Sequence, residues 1–191
     1  MVLVAQSVRA LVCGTKGRGF EPHLAPKMNK TYKGEIESLT EKQIFVFGSN
    51  TQGRHGKGGA LKAKEKFGAI YGQAEGLQGQ SYAIITKDIS SYPHKSNDIK
   101  SIVTQIRALY RFADTMPDHE FYVCYSGSGT NLNGYSPTEM ASMFAKGFIS
   151  KNIIFEEEFC WLIQSEMKKK AEIVKNYGNF ELKKQNEKRN G

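Results

Sequence analysis

Two stretches of this chain carry groups that could do chemistry and little else around them. "FGSNTQGRHGKGG", residues 47–59, is Gly, Ser or Asn at seven of thirteen positions, yet it holds His55 in its middle and Lys57 near its end. "SGSGTNLNGY", residues 126–135, is almost as bare. Glycine lets the backbone take positive φ and lets main-chain N–H groups approach a ligand that a Cβ would hold off. A helix starting just after such a loop adds its unpaired N-terminal N–H groups and its positive dipole end, which together suit a phosphate. His55 is the one side chain in the first loop that ordinarily titrates near neutrality. Beside a bound phosphate it could serve as general acid or base, or it could simply hydrogen-bond the phosphate or a loop carbonyl. Both readings stand at this point. His94 and His119 lie in polar loop contexts and His23 in an N-terminal arm, so none competes with it. Cys13, Cys124 and Cys160 lack metal-ligand spacing. Cys124 sits inside an apolar run and reads as core. No metal and no cofactor are expected.

The elements that must position these loops are legible around them. "KQIFVF" (42–47) is a continuous apolar run of strand length, the pattern of a strand covered on both faces, and it feeds the first loop. Beyond the loop, Ala60, Ala63, Lys64 and Phe67 recur at helical spacing, which predicts a helix from about Gly58 that Gly68 ends. "YKGEIESL" predicts a short early strand, "YGQAEGLQGQ" (71–80) a loop, and "SYAIIT" (81–86) another strand. Ile99, Ile102, Val103, Ile106, Leu109 and Tyr110 predict an amphipathic helix with Ser96 or Asn97 as its cap and Pro117 just past its end. "EFYVCY" (120–125) opens into the second glycine-rich loop, and Ser136, Pro137 and Glu139 form a capping box for the next helix. "NIIF" (152–155) and a closing helix complete the chain. Strands alternating with helices predict an α/β protein with helices packed on a largely parallel sheet. Ligands of such sheets sit at the carboxyl ends of the strands, where both loops depart.

Composition narrows the classes. The chain has 191 residues and a net charge of +8, but residues 1–27 carry +3 and residues 167–191 carry +5. The intervening body has 15 basic and 15 acidic groups. A nucleic-acid reader needs its basic surface on the folded part, so nucleic acid is not the expected partner. A basic C-terminal helix touching phosphates remains the alternative. No run reaches the roughly 20 apolar residues that span a bilayer, and cysteine usage fits a reducing, cytoplasmic setting. "GRGFEPH" back-translates through GGN-TTY-GAR-CCN, a sequence like the T-arm of transfer RNA genes. Residues 1–27 are therefore expected to be a non-native or disordered extension, with Met28 as the natural start. The expected division is 1–27, a domain over 28–165, and a basic tail over 166–191.

Familiar nucleotide motifs fail. A Walker loop needs a glycine where Thr51 stands and a hydroxyl where Gly58 stands. A dinucleotide fingerprint fails at Leu61, and Glu75 falls in a loop where a second strand should end. A dinucleotide module without catalysis is retained as a runner-up.

A longer pattern fits. "KGEIESLTEKQIFVFGSNTQGRHGKGGALKAKEKFGA" resembles the opening of the macrodomain family, in which GDI-T precedes a strand ending N-A-A-N, a glycine-rich loop and a G-G-V-x-x-A helix. "YSGSGTNLNGYSPTEMASMF" is similar to the family's second loop and following helix. Short macrodomain-like proteins of phages and bacteria, with V-F-G-S-N…G-R-H-G-x-G-A, are the most similar, over roughly residues 31–160. The resemblance implies a three-layer α/β/α sandwich with a mostly parallel mixed sheet, and ADP-ribose or a derivative as ligand. It implies that Glu35 accepts from the adenine amino group and that Asn50 fixes the distal ribose. Gly48, Ser49, Gly56, Lys57, Gly58 and Gly59 would line ribose and diphosphate. Ser126, Gly127, Ser128, Gly129, Thr130, Asn131 and Gly134 would wrap the diphosphate from the other side, with Tyr135 against a sugar or base. The de-ADP-ribosylating members carry an Asp where this chain has Leu61. Hydrolysis of ADP-ribose 1″-phosphate or a similar metabolite would therefore lean on His55, with Asn50 as positioner. The likeness to phage proteins is compatible with action in a host cytoplasm.

Overall fold

The computed structural model describes residues 28, 30–125 and 133–190, and of 179 and 181–190 the backbone alone. Its body runs from Met28 to Glu166. The apolar runs form the centre of the sheet and three short strands extend it: β1 (Thr31–Tyr32), β2 (Gln43–Asn50), β3 (Gly76–Gln78), β4 (Ser81–Asp88), β5 (Lys95–Ser96), β6 (Glu120–Val123) and β7 (Ile153–Glu156), of which β1, β3 and β5 are the short ones. They lie in the order β1-β7-β6-β2-β4-β3, with β5 also on β4. All pairs from β1 through β4 are parallel, and β3 and β5 run antiparallel along β4. Among the described residues there are four helices: α1 (Gly58–Lys66), α2 (Ile99–Asp114), α3 (Pro137–Phe144) and α4 (Glu157–Asn190). This is the expected α/β class with a mostly parallel mixed sheet. From Met167 onward α4 belongs to a second unit. No helix among the described residues is long and apolar enough to cross a membrane.

β2 is buried on both faces because its side chains alternate between two helical layers. Phe45 and Phe47 pack with Ala60, Ala63 and Phe67 on the α1 side, with Ala83 of β4 completing the cluster. The small alanines let α1 lie close to the sheet, while Lys64, expected to share that face, is exposed. Gly68 ends the helix at φ 72°, and Ala69 N–H reaches back to the Ala63 carbonyl at 3.0 Å. On the other face α2 buries Ile102, Val103, Ile106, Leu109, Tyr110 and Ala113. Burial of each large aliphatic there stabilises by roughly 1.5–3 kcal/mol. Tyr110 then ties α2 to α3 by donating to the Phe144 carbonyl at 2.8 Å.

Three expectations need correction. Asp98, one residue beyond the expected Ser96 or Asn97, caps α2 through Ser101 N–H at 2.9 Å. Asn97 is instead spent on the Ile85 carbonyl at 3.0 Å. Within 71–80, Gly76–Gln78 forms an edge strand, too short to leave a period in sequence. "YKGEIESL" is strand only at its first residue, because Gly34 takes φ 77° and turns the chain out of the sheet. The remainder is a strap whose Ile36 and Leu39 cover the α1-side core.

That strap is fastened by charge. Lys62 Nζ lies 2.6 Å from Glu35 and 2.9 Å from Glu37, and Lys66 also donates to Glu37. The Lys66 hydrogen bond, followed by that from Lys62, holds the Glu37 carboxyl down to about 2. A depressed carboxylate contributes stability above its unfolded pKa, near 4.3, and that contribution is lost as pH falls toward 2. Glu37→Gln should therefore flatten the acid limb of stability between about pH 4.5 and 2. Thermal midpoints of both proteins across that range check this. Exposed pairs are individually weak, so at neutral pH the difference should be small.

Candidate functional site

The carboxyl ends of β2, β4 and β6 open onto one cavity of about 370 Å³. The first glycine-rich loop leaves from this edge, and β6, which precedes the second in sequence, is the neighbour of β2, with Val46 opposite Val123. The cavity wall takes Gly48 from β2, Thr86 from β4, Cys124 and Tyr125 from just past β6, and Lys57 to Ala60 from the start of α1. Asn133, Pro137 and Met140 close the α3 side, and Phe144 and Phe159 stand behind.

The start of α1 is its most distinctive wall. No side chain caps the helix, and its first internal hydrogen bond is Leu61 N–H to the Lys57 carbonyl at 3.3 Å. The N–H groups of Gly58, Gly59 and Ala60 thus precede the ladder, at the positive end of the helix dipole. No acidic residue lies in that first turn to neutralise it. The glycines have specific reasons to be there. Gly58 has φ 56°. A Cβ on Gly59 would stand 2.9 Å from Cys124 Sγ, and one on Gly48 would stand 2.9 Å from Thr86 Oγ1. Thr86 occupies that place because the register slips between Ser49 and Asn50, which face Ile85 and Lys87 respectively. Such a bulge re-aims a side chain at a sheet end. Its hydroxyl reaches the Ser49 carbonyl at 3.4 Å.

His55 does not face this cavity. It is fully buried, edge-on to Phe47 at 5.2 Å, with Nε2 3.2 Å from the Gln73 carbonyl. A carbonyl only accepts, so Nε2 donates to it, and Nδ1 has no partner among the described residues. The geometry thus favours the loop-carbonyl reading over the acid–base one: His55 pins the first loop to the 70–78 segment. Gly72 N–H adds a bond to the Gly53 carbonyl at 3.0 Å. Gly53, at φ 63°, lies so close that a Cβ would meet the Gly72 carbonyl carbon at 2.6 Å.

Asn50 is likewise occupied with the loop. Its amide nitrogen donates to the Arg54 carbonyl at 2.7 Å, and its oxygen accepts from Gln52 and Arg54 N–H at 3.2 and 3.0 Å. It does not line the cavity. Glu35 is 79% exposed and bound to Lys62, away from the wall. Ser49 is buried beneath the bulge, and Gly56 faces open space. Gly134, at φ 83°, packs on Ser96, and Tyr135 donates to the Asn97 carbonyl at 2.6 Å; neither lines the cavity. Ser126, Gly127, Ser128, Gly129, Thr130 and Asn131 lie outside the described residues. Of the sequence candidates, Gly48, Lys57, Gly58 and Gly59 are therefore the ones brought together.

Sequence reasoning passed over Thr86, Tyr125, Asn133, Met140 and Phe159. Thr86 and Tyr125 could have been found, since each is the polar residue closing an apolar strand run. Cys124, read as core, both packs against the α1-side cluster and forms wall. Burial pushes its thiol up to about 11, so it is no nucleophile at neutral pH. Among the described residues the wall has one charged side chain, Lys57, and neither carboxylate nor imidazole. No group of three His, Cys, Asp or Glu among them is placed to hold a metal ion. No protein-family model, curated protein or solved structure matches the chain.

Proposed function

We propose that this protein is a binding module for ADP-ribose or a closely related nucleotide diphosphate. The observation that carries the reading is the uncapped start of α1. Three main-chain N–H groups, a helix dipole and the Lys57 side chain meet at a cavity on the carboxyl edge of a parallel sheet. Such an end favours a phosphate group over any neutral ligand, and charge-assisted bonds from N–H to phosphate are the stronger kind. The resemblance of both loops to macrodomain loops selects ADP-ribose among diphosphates. Binding is favoured over hydrolysis because His55 is enclosed and Leu61 stands where a water-activating carboxylate would be needed.

Calorimetric titration with ADP-ribose is expected to give saturable one-to-one binding. Lys57→Glu should weaken it by about tenfold or more, through lost attraction and added repulsion at the phosphate. Absence of heat, together with an unmoved thermal midpoint at millimolar ligand, would sink the proposal.

A further inference from the structure

The diphosphate reading assigns one end of the cavity and leaves the other without a reader. Away from α1 the wall is apolar, built by Ile84, Val123, Met140, Phe144 and Phe159. Its polar side chains are mostly committed. Thr86 donates to the Ser49 carbonyl. The Asn133 amide nitrogen donates to Met140 Sδ at 3.4 Å, and its oxygen accepts from Tyr135 N–H at 3.1 Å. Tyr125 is the exception. Its ring stacks on Phe159 with centroids 4.9 Å apart and planes 14° off parallel, and its buried hydroxyl has no partner among the described residues. A buried hydroxyl without a partner among the described residues, on a residue of the cavity wall, is a hydrogen-bonding group that a ligand can satisfy.

Glu35, the residue that the resemblance charges with reading a purine amino group, points elsewhere. It is mostly exposed and held by Lys62 at 2.6 Å. The sequence supplies no replacement carboxylate from the second loop, since residues 126–132 contain neither Asp nor Glu. Strong rejection of a wrong base requires an acceptor that the wrong base would leave unpaired. A phenolic hydroxyl imposes no such demand, because it can donate or accept as the ligand requires.

We infer, on the reading that the site binds an ADP-ribose-type diphosphate, that the group beyond the diphosphate is held by apolar contact and one hydrogen bond to Tyr125 Oη. The site accordingly does not distinguish a 6-amino from a 6-oxo purine. Tyr125 is the one side-chain hydrogen-bonding contact to that group, and Glu35 has no part in recognition.

The test is a calorimetric comparison of ADP-ribose, its inosine analogue and inorganic pyrophosphate on the full chain, with Glu35→Gln and Tyr125→Phe. The two nucleotides should bind within about threefold of each other, and Glu35→Gln should change neither. Tyr125→Phe should weaken both by about three- to tenfold and leave pyrophosphate unaffected. Its thermal midpoint should not fall, since it removes an unpartnered buried hydroxyl. A preference of tenfold or more for ADP-ribose, or a comparable loss in Glu35→Gln, overturns the inference. So does a Tyr125→Phe effect that is absent for nucleotides or equal for pyrophosphate. If ADP-ribose and pyrophosphate both fail to bind, the diphosphate reading itself falls, an outcome distinct from those.

Discussion

Gly59→Val is expected to abolish ADP-ribose binding while the protein stays folded. The first atom of the new side chain would stand 2.9 Å from Cys124 Sγ and 3.9 Å from Phe47 Cβ. Either α1 must lift off the end of β6 or the sulfur must swing away, and the added methyl groups would stand at the helix start that forms the phosphate wall. Displacing two charge-assisted main-chain contacts, each worth about 1.5–3 kcal/mol, corresponds to a loss of about 100-fold or more. Helix propensity does not oppose the change, because glycine is the poorer helix former of the two. Gly56→Ala is the matched control. No atom lies within 4 Å of its added Cβ, and Gly56 is outside the wall, so affinity should be unchanged. Calorimetry reads both affinities, and circular dichroism reads the fold. Unaltered binding by Gly59→Val would remove α1 from the site.

His55→Ala is expected to act on stability far more than on the ligand. The substitution empties a fully buried place against Phe47 and deletes the hydrogen bond to the Gln73 carbonyl. Cavity formation with loss of that bond should cost about 2–4 kcal/mol. In a body of this size that corresponds to a fall of roughly 5–15 °C in Tm. Gln73 O keeps one partner, the Gln78 amide at 3.2 Å, so the bracket should loosen without coming apart. ADP-ribose affinity, measured well below the new midpoint, should therefore fall by only about threefold. Differential scanning calorimetry decides the matter: an unchanged midpoint would mean that the imidazole is not the pin it is taken to be.

The contrast between these two residues marks what could be read in the sequence. β2, β4 and β6 were legible as apolar runs. α2 was legible from its period and α3 from its capping box, because those signals are local. The cradle was legible for the same reason: glycines between a strand and a helix have a local cause in φ and in close approach. His55 and Asn50 were harder. Their partners, the Gln73 and Arg54 carbonyls, are main-chain atoms positioned by loop closures that no side-chain pattern records. Glu35 went astray because Gly34 ended the strand that was to carry it, leaving it to Lys62. Thr86 and Tyr125 became neighbours of the cradle only through the strand order β6-β2-β4 and a bulge at one register position.

The most direct test follows the main-chain N–H groups themselves. In a nitrogen-15 correlation spectrum of the uniformly labelled protein, saturating ADP-ribose should shift Gly58, Gly59 and Ala60 most strongly among the first turns of the helices, and pyrophosphate should reproduce those shifts. If these three resonances stay in place while ADP-ribose binds, the diphosphate is held elsewhere.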